Sequence, residues 1–352
     1  MALGPLVGSI GILAAVALLL SRETGYERPD RFIIATSAGT PNVLWARMPS
    51  FQDMTLPVKD QAVPAAEILI DGAASRCTGW TCSADSDRGL KEPSGLALFQ
   101  KGGGSAWLYV SDPKVGFVYR YEVSRTWRGT LQVGPQQLVA SNLKDKAHWL
   151  AVDSYGNLFY TDSEAGTISM ISAEDMYKHM PEGRTVLSAE KTEFVAGPAG
   201  LAADSTSLYW ANLKGDQATG TLVQAQANDK KQATILAGNR DMYQAIVKDI
   251  CLAGENVFFT GDGKSLFAVK ADGSSNVTEI AHLQQPAGCV YDQETTLFVA
   301  DREDNAIYSL PANMGTLHKV KRVRKVASLD SPHQIAIFFG PSSNKFLQHL
   351  SE

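Results

Sequence analysis

Three dipeptides hold the residues best suited to chemistry in this chain: His148-Trp149, Lys248-Asp249 and His333-Gln334. Each runs into a short apolar stretch, LAVD, ICLA and IAIFF, so the three open equivalent segments. Two imidazoles and a carboxylate brought together could bind a metal ion or move a proton, because histidine titrates near neutral pH and is the commonest metal ligand. Ser94-Gly95, Ala199-Gly200 and Ala287-Gly288 open the matching segments between them, so small pairs alternate with large ones. The plainer reading is a hydrated channel whose polar groups satisfy one another. Either way, the elements that place these dipeptides decide whether they meet.

Those elements repeat. LAVDSYGNLFYTDSEAGTISMIS, residues 150–172, reads as an apolar run, a Gly-Asn turn, a second run, an Asp-rich turn with Gly166 and a third alternating run, which is three short antiparallel strands. The same template recurs from Pro93, Gly197, Val247 and Gln285, with a period of about 45 to 50 residues, the range of propeller blades. A fourth strand follows each unit: LQVGPQQLVA, TVLSAE, QATILA, NVTEIAHL and HKVKRVRKVASL. RFIIATS, NVLWARMP and AAEILIDG supply the outer three strands of one more blade, and PHQIAIFF near the C-terminus supplies its inner strand. The expectation is an all-β, six-bladed propeller over residues 31–340, with its first blade closed by both chain ends and radial packing leaving only short sheet edges. Inner strands line a propeller's central channel, so His148, Trp149, Lys248, Asp249, His333 and Gln334 should converge on one mouth.

LFYTD (158–162) and LYWAN (208–212), which follow LAVD and LAAD, resemble the YWTD repeat of six-bladed propellers, related in style to NHL and gluconolactonase-like propellers. The resemblance spans nearly the whole folded part. It implies the fold but not one activity, because such propellers serve as receptors, scaffolds and hydrolases. It also implies that Asp112, Asp162, Asn212 and Asp301 cap turns and tie the blades together, as expected of natural turn formers. Lactonases of this likeness hold a divalent metal on oxygen ligands suited to calcium. Only Asp249 fits such a set here, and no Gly-x-Ser-x-Gly elbow, His-Glu-x-x-His helix or phosphate loop occurs. The favoured reading is therefore a non-catalytic, membrane-tethered protein-interaction scaffold without a cofactor, of the kind that serves as an accessory subunit of a larger membrane complex. The alternative is a calcium- or zinc-dependent lactonase or esterase-like hydrolase, with Asp249 as ligand and His148 or His333 as general base.

Other features bear on partners and compartment. An insertion over 72–92 is longer than a normal connection; it carries Cys77 and Cys82, read as a local disulfide, and Trp80 at its tip as a candidate partner-binding element. Cys251 and Cys289, in inner strands of neighbouring blades and flanked by apolar residues, read as buried free thiols. Lys319, Lys321, Arg322, Arg324 and Lys325 alternate with valines like an outer strand, either guarding an exposed edge or docking an acidic partner or anionic lipid. With a net charge of -5 the chain lacks the basic face that a general nucleic-acid binder needs.

The uncharged stretch 2–21, from Ala2 to Ser21, reads as a membrane anchor or a signal segment. Ala15-Val16-Ala17 would suit cleavage, and Gly4 with Gly8 would suit packing against another helix. Residues 22–30 then form a linker and 341–352 a tail. Arg22, Arg28 and Arg31 behind the segment would hold the propeller in the cytoplasm by the positive-inside rule. The Cys77/Cys82 pair and the sequon Asn276-Val277-Thr278 suit an oxidising side instead. The expectation adopted is a single-pass protein with its propeller lumenal or extracellular, an organelle membrane or secretion being the alternatives.

Overall fold

The computed structural model describes residues 29–49, 63–73, 89–100, 102, 104–141, 143, 147–178, 181, 183–213, 220–226, 233–238, 247–261 and 263–341. The apolar stretch 2–21, most of the 72–92 insertion with Cys77, Trp80 and Cys82, and the tail beyond 341 lie outside them. Among the described residues no helix is long and apolar enough to cross a membrane.

The chain forms six antiparallel sheets, the blades of an all-β propeller. Blade one orders β25 (Pro332–Gly340), β1 (Asp30–Ser37), β2 (Val43–Arg47) and β3 (Glu67–Ile70) from its inner edge outward. β25 pairs with β1 in antiparallel register, Phe32 opposite Phe338 and Ile34 opposite Ala336. The inner strands of blades two to six are β4 (Leu96–Phe99), β9 (Leu150–Val152), β13 (Pro198–Ala203), β17 (Val247–Ala253) and β21 (Pro286–Tyr291). The second strands are β5 (Ser105–Asp112), β10 (Leu158–Asp162), β14 (Ser207–Asn212), β18 (Asn256–Gly261) and β22 (Thr296–Asp301).

Strand alternation explains the stacking. In a strand, neighbouring side chains point to opposite faces, and here both faces are covered by other blades. Phe32 and Ile34 of β1 enter the core shared with blade two, while Ile33 and Ala35 enter the core shared with blade six. Leu208 and Trp210 of β14 face blade three, and Tyr209 and Ala211 face blade five. Second strands are consequently buried at nearly every position, with apolar residues in their middles, as expected of strands covered on both faces. Six apolar clusters, one at each junction between blades, together form the core.

The fourth strands show two departures from the sequence reading. LQVGPQQLVA is not one strand but two, β7 (Leu131–Val133) and β8 (Gln137–Ala140), both paired with the long β6 (Phe117–Arg125). Pro135 has no N–H to give the ladder, so the strand breaks around it, and Gly134 donates to the Glu122 carbonyl at 2.7 Å before the break. The basic run is not one outer strand either. Only Arg324 and Lys325 belong to β24 (Arg324–Ser328). Lys319, Lys321 and Arg322 lie in the irregular approach to it, where Val320 donates to the Ile280 carbonyl of blade five and Lys319 pairs with Glu279 at 2.9 Å. The interleaved Leu317, Val320 and Val323 pack on the core between blades five and six, which gave the run its strand-like alternation.

The four residues ending the second strands serve as caps. Asp112 accepts backbone N–H groups of Lys91 and Glu92, Asp162 those of Glu164 and Ala165, and Asp301 those of Gln284, Gln285 and Asp304. Asn212 accepts from Ala196 and donates to the Phe194 carbonyl. Each fixes a loop on the face where the inner strands begin.

Candidate functional site: the cationic mouth of the channel

The dipeptides at the starts of the inner strands meet around the axis, and the alternation of small and large has a steric cause. A Cβ on Gly95 would lie 2.8 Å from the His148 carbonyl oxygen, one on Gly200 2.9 Å from that of Lys248, and one on Gly288 2.5 Å from that of His333. Each glycine of blades two, four and six therefore lets the inner strand of the next blade approach backbone to backbone. The large residues of blades three, five and one follow, giving an approximate three-fold arrangement of His148, Lys248 and His333. Ala147 and Ser331, with φ of 56° and 39°, turn the chain through the left-handed region just ahead of the two histidine strands.

Two layers result. The outer one surrounds a cavity of about 750 Å³ walled by Ser94, His148, Trp149, Lys248, His333 and Arg302. Glu92 and Lys114 also reach it, bound to each other at 3.1 Å. The rings of His148 and Trp149 lie 5.6 Å apart. Ser94 joins the walls: its carbonyl accepts from Thr36 Oγ1 at 3.1 Å, and its hydroxyl donates to the His148 carbonyl.

The second layer closes the mouth from beneath. Asp249 and Gln334 are buried, at 5% and 6% exposure, and neither walls the outer cavity. Asp249 Oδ2 accepts the Cys289 N–H at 2.9 Å and also bonds the Gln334 side chain. With no side chain at Gly288 between them, Gln334 of blade one reaches Asp249 of blade five. The Gln334 N–H is taken by Thr36 Oγ1 at 3.1 Å. Below this layer a separate cavity of about 590 Å³ follows the axis between apolar inner-strand residues such as Leu96, Leu150 and Ile335.

Electrostatics distinguish the layers. Burial pushes the Asp249 carboxyl up to about 7, against the hydrogen bonds from Cys289, Gln334 and Ile250 that favour its charged form. Burial likewise pushes His333 down to about 4, helped by the Arg302 guanidinium and by Lys248 and His148, while a hydrogen bond to the Ser94 backbone opposes the shift. His333 is thus neutral at pH 7, chiefly because it is buried and secondarily because Arg302 and Lys248 stand nearby. Arg302 Nε is buried without a hydrogen-bond partner. The mouth presents cationic and neutral donors to its cavity, and the one carboxylate among its described lining residues, Glu92, is already ion-paired.

Arg302 was missed by the sequence reading. The signal for it was its place directly after Asp301: the equivalent Pro113 and Leu213, which follow Asp112 and Asn212, also reach the cavity. As a metal ligand Asp249 is poorly placed, because protein donors occupy its carboxylate and it does not reach the cavity. Among the described residues no group of three or more His, Cys, Asp or Glu side chains could hold a metal ion.

The expectation of free thiols at Cys251 and Cys289 is overturned. The two form a disulfide across the inner strands of blades five and six, with Cα atoms 5.8 Å apart. Inner strands converge on the axis, so cysteines 38 residues apart in sequence become neighbours; their apolar flanks reflect the core between the blades.

No protein-family model matches the chain, and no curated protein matches it in sequence. Solved structures do resemble it. Apo AztD from Citrobacter koseri is 9% identical with a TM-score of 0.51, over 90% of this chain and all of that one. Virginiamycin B lyase from Staphylococcus aureus, as a catalytically inactive variant with quinupristin, is 12% identical with a TM-score of 0.44, over 69% of this chain and 73% of that one. A luciferin-regenerating enzyme is 14% identical with a TM-score of 0.44, over 66% and 76%. At these identities the likeness to AztD is one of fold alone.

Proposed function

We propose that this protein is a non-catalytic recognition propeller that captures an anionic group, a carboxylate or phosphate presented by a protein partner, at the mouth of its central channel. The observation that carries the reading is the composition of that mouth: Lys248, Arg302, His148 and His333 around one cavity, in which Glu92, the one carboxylate among the described lining residues, is already paired. Cationic donors in a partly enclosed site favour oxyanions, and each hydrogen bond involving a charged group contributes about 1.5–3 kcal/mol. The buried, fully engaged Asp249 speaks against the hydrolase alternative, which needs it as an open metal ligand. Tethering by residues 2–21, membership of a larger membrane complex and a lumenal or extracellular setting belong to the same proposal and rest on the sequence.

Titration with inorganic phosphate and with citrate, followed by tryptophan fluorescence from Trp149, tests the reading. Saturable binding that weakens at least tenfold, or about 1.4 kcal/mol, in both Lys248→Ala and Arg302→Ala is expected. Binding that is absent, or unaffected by either substitution, would overturn it. Turnover of a lactone or ester that depends on calcium or zinc would put the hydrolase in its place.

A further inference from the structure

The sequence contains a single Asn-x-Ser/Thr triplet, Asn276-Val277-Thr278, and the structure places it on an exposed, ordered turn. The turn joins β19 (Ser265–Lys270) to β20 (Thr278–His282) in blade five. Ser275 Oγ accepts the Lys270 N–H at 2.9 Å, the Ala271 N–H reaches the Glu255 carbonyl at 2.9 Å, and Val277 packs against the core between blades four and five. Asn276 itself is exposed. Its side-chain amide makes no hydrogen bond, and the Thr278 hydroxyl donates to its backbone carbonyl at 3.4 Å. The anchoring on either side leaves one free carboxamide projecting from a fixed loop.

Two further observations bear on whether such a site is used. The disulfide between Cys251 and Cys289 lies in the same blade and its neighbour, and structural disulfides form and persist in oxidising compartments, where N-glycosylation also takes place. The location is compatible with the rest of the fold as well. β17 begins at the mouth, so in the four-stranded blade β17-β18-β19-β20 the β19–β20 turn lies on the opposite face. A bulky polar chain there would leave the cationic cavity open.

We infer that Asn276 is an N-linked glycosylation site and that the propeller consequently faces the lumen or the exterior. In the reaction, the Asn276 amide nitrogen forms a bond to the anomeric carbon of an oligosaccharide diphosphate donor. The bond from that carbon to the diphosphate oxygen breaks, the diphosphate leaves with the electron pair and the amide nitrogen loses a proton. The inference is independent of what the mouth binds.

The test is peptide mass spectrometry of the full-length protein purified from cells that make it, before and after peptide:N-glycosidase in ¹⁸O water. Conversion of Asn276 to ¹⁸O-labelled aspartate is expected, lost in Asn276→Gln and Thr278→Ala but kept in Thr278→Ser, with Cys251 and Cys289 recovered as a disulfide. An unmodified Asn276 peptide from mature protein would overturn the site. Recovery of the two cysteines as free thiols together with an unmodified Asn276 would overturn the assigned compartment as well as the site.

Discussion

Asp249 and His333 occupy adjacent layers at one end of the channel and titrate in opposite senses. In the folded protein Asp249 keeps its proton up to about pH 7, whereas the unfolded chain releases it near pH 4. Between those values the native state holds more protons, so this group makes stability fall as pH rises. His333 behaves in reverse: its folded value of about 4 lies below the unfolded 6.5, so its contribution rises with pH over that window. The two slopes oppose each other between about pH 4 and 6.5. Asp249→Asn should leave a stability that climbs with pH there, and His333→Gln one that declines, each by a few kcal/mol at most. Urea unfolding from pH 4 to 8 reads both slopes; parallel profiles for the two variants would contradict this account. An anion in the mouth would offset the field of Arg302 and Lys248 and draw a proton onto His333. Binding should therefore tighten as pH falls from 8 to 5, with proton uptake measurable by calorimetry in buffers of different ionisation enthalpy.

Among the elements, the inner strands do the positioning, and their glycines decide how closely they approach. Gly288 has its would-be Cβ 2.5 Å from the His333 carbonyl oxygen and 2.8 Å from Gln334 Cα. Neither atom belongs to a flexible side-chain end, so Gly288→Ala must displace β25. The expected cost is about 1–3 kcal/mol or more, together with weaker anion binding, because His333 moves with its backbone. A thermal scan and a phosphate titration of the same variant check the two effects, and a variant with wild-type stability would show that the inner strands do not abut as described. The small residues at these starts were plain in the sequence. That they let the next blade approach was not, because a glycine records a missing side chain and not which neighbour uses the space.

On the scale of the whole molecule, the ring of blades is held by apolar clusters at every junction and by two particular ties. The β25–β1 pairing joins the last described strand to the first within blade one, and the Cys251–Cys289 disulfide links blades five and six. Cross-linking residues 38 apart removes unfolded-chain entropy worth about 4 kcal/mol in the loop-closure model. The double variant Cys251→Ser/Cys289→Ser should lose stability on that order while keeping its β-sheet circular dichroism. Chemical denaturation measures the loss, and unchanged stability would reduce the disulfide to a bystander.

The sequence by itself determined the repeat, the strand order within each blade and the capping Asp and Asn residues. All of these follow from local periodicity and turn chemistry, which neighbouring residues carry. It also marked His148, Lys248 and His333 as equivalent, because repeats align. Only the tertiary structure decided that Asp249 and Gln334 lie buried beneath the mouth, that Arg302 joins its wall, that Cys251 meets Cys289, and that the valines beside Lys319, Lys321 and Arg322 pack across two blades. Each of these is a relation between different blades, set by how the inner strands converge on the axis. That convergence is a property of the closed ring, and no single repeat contains it.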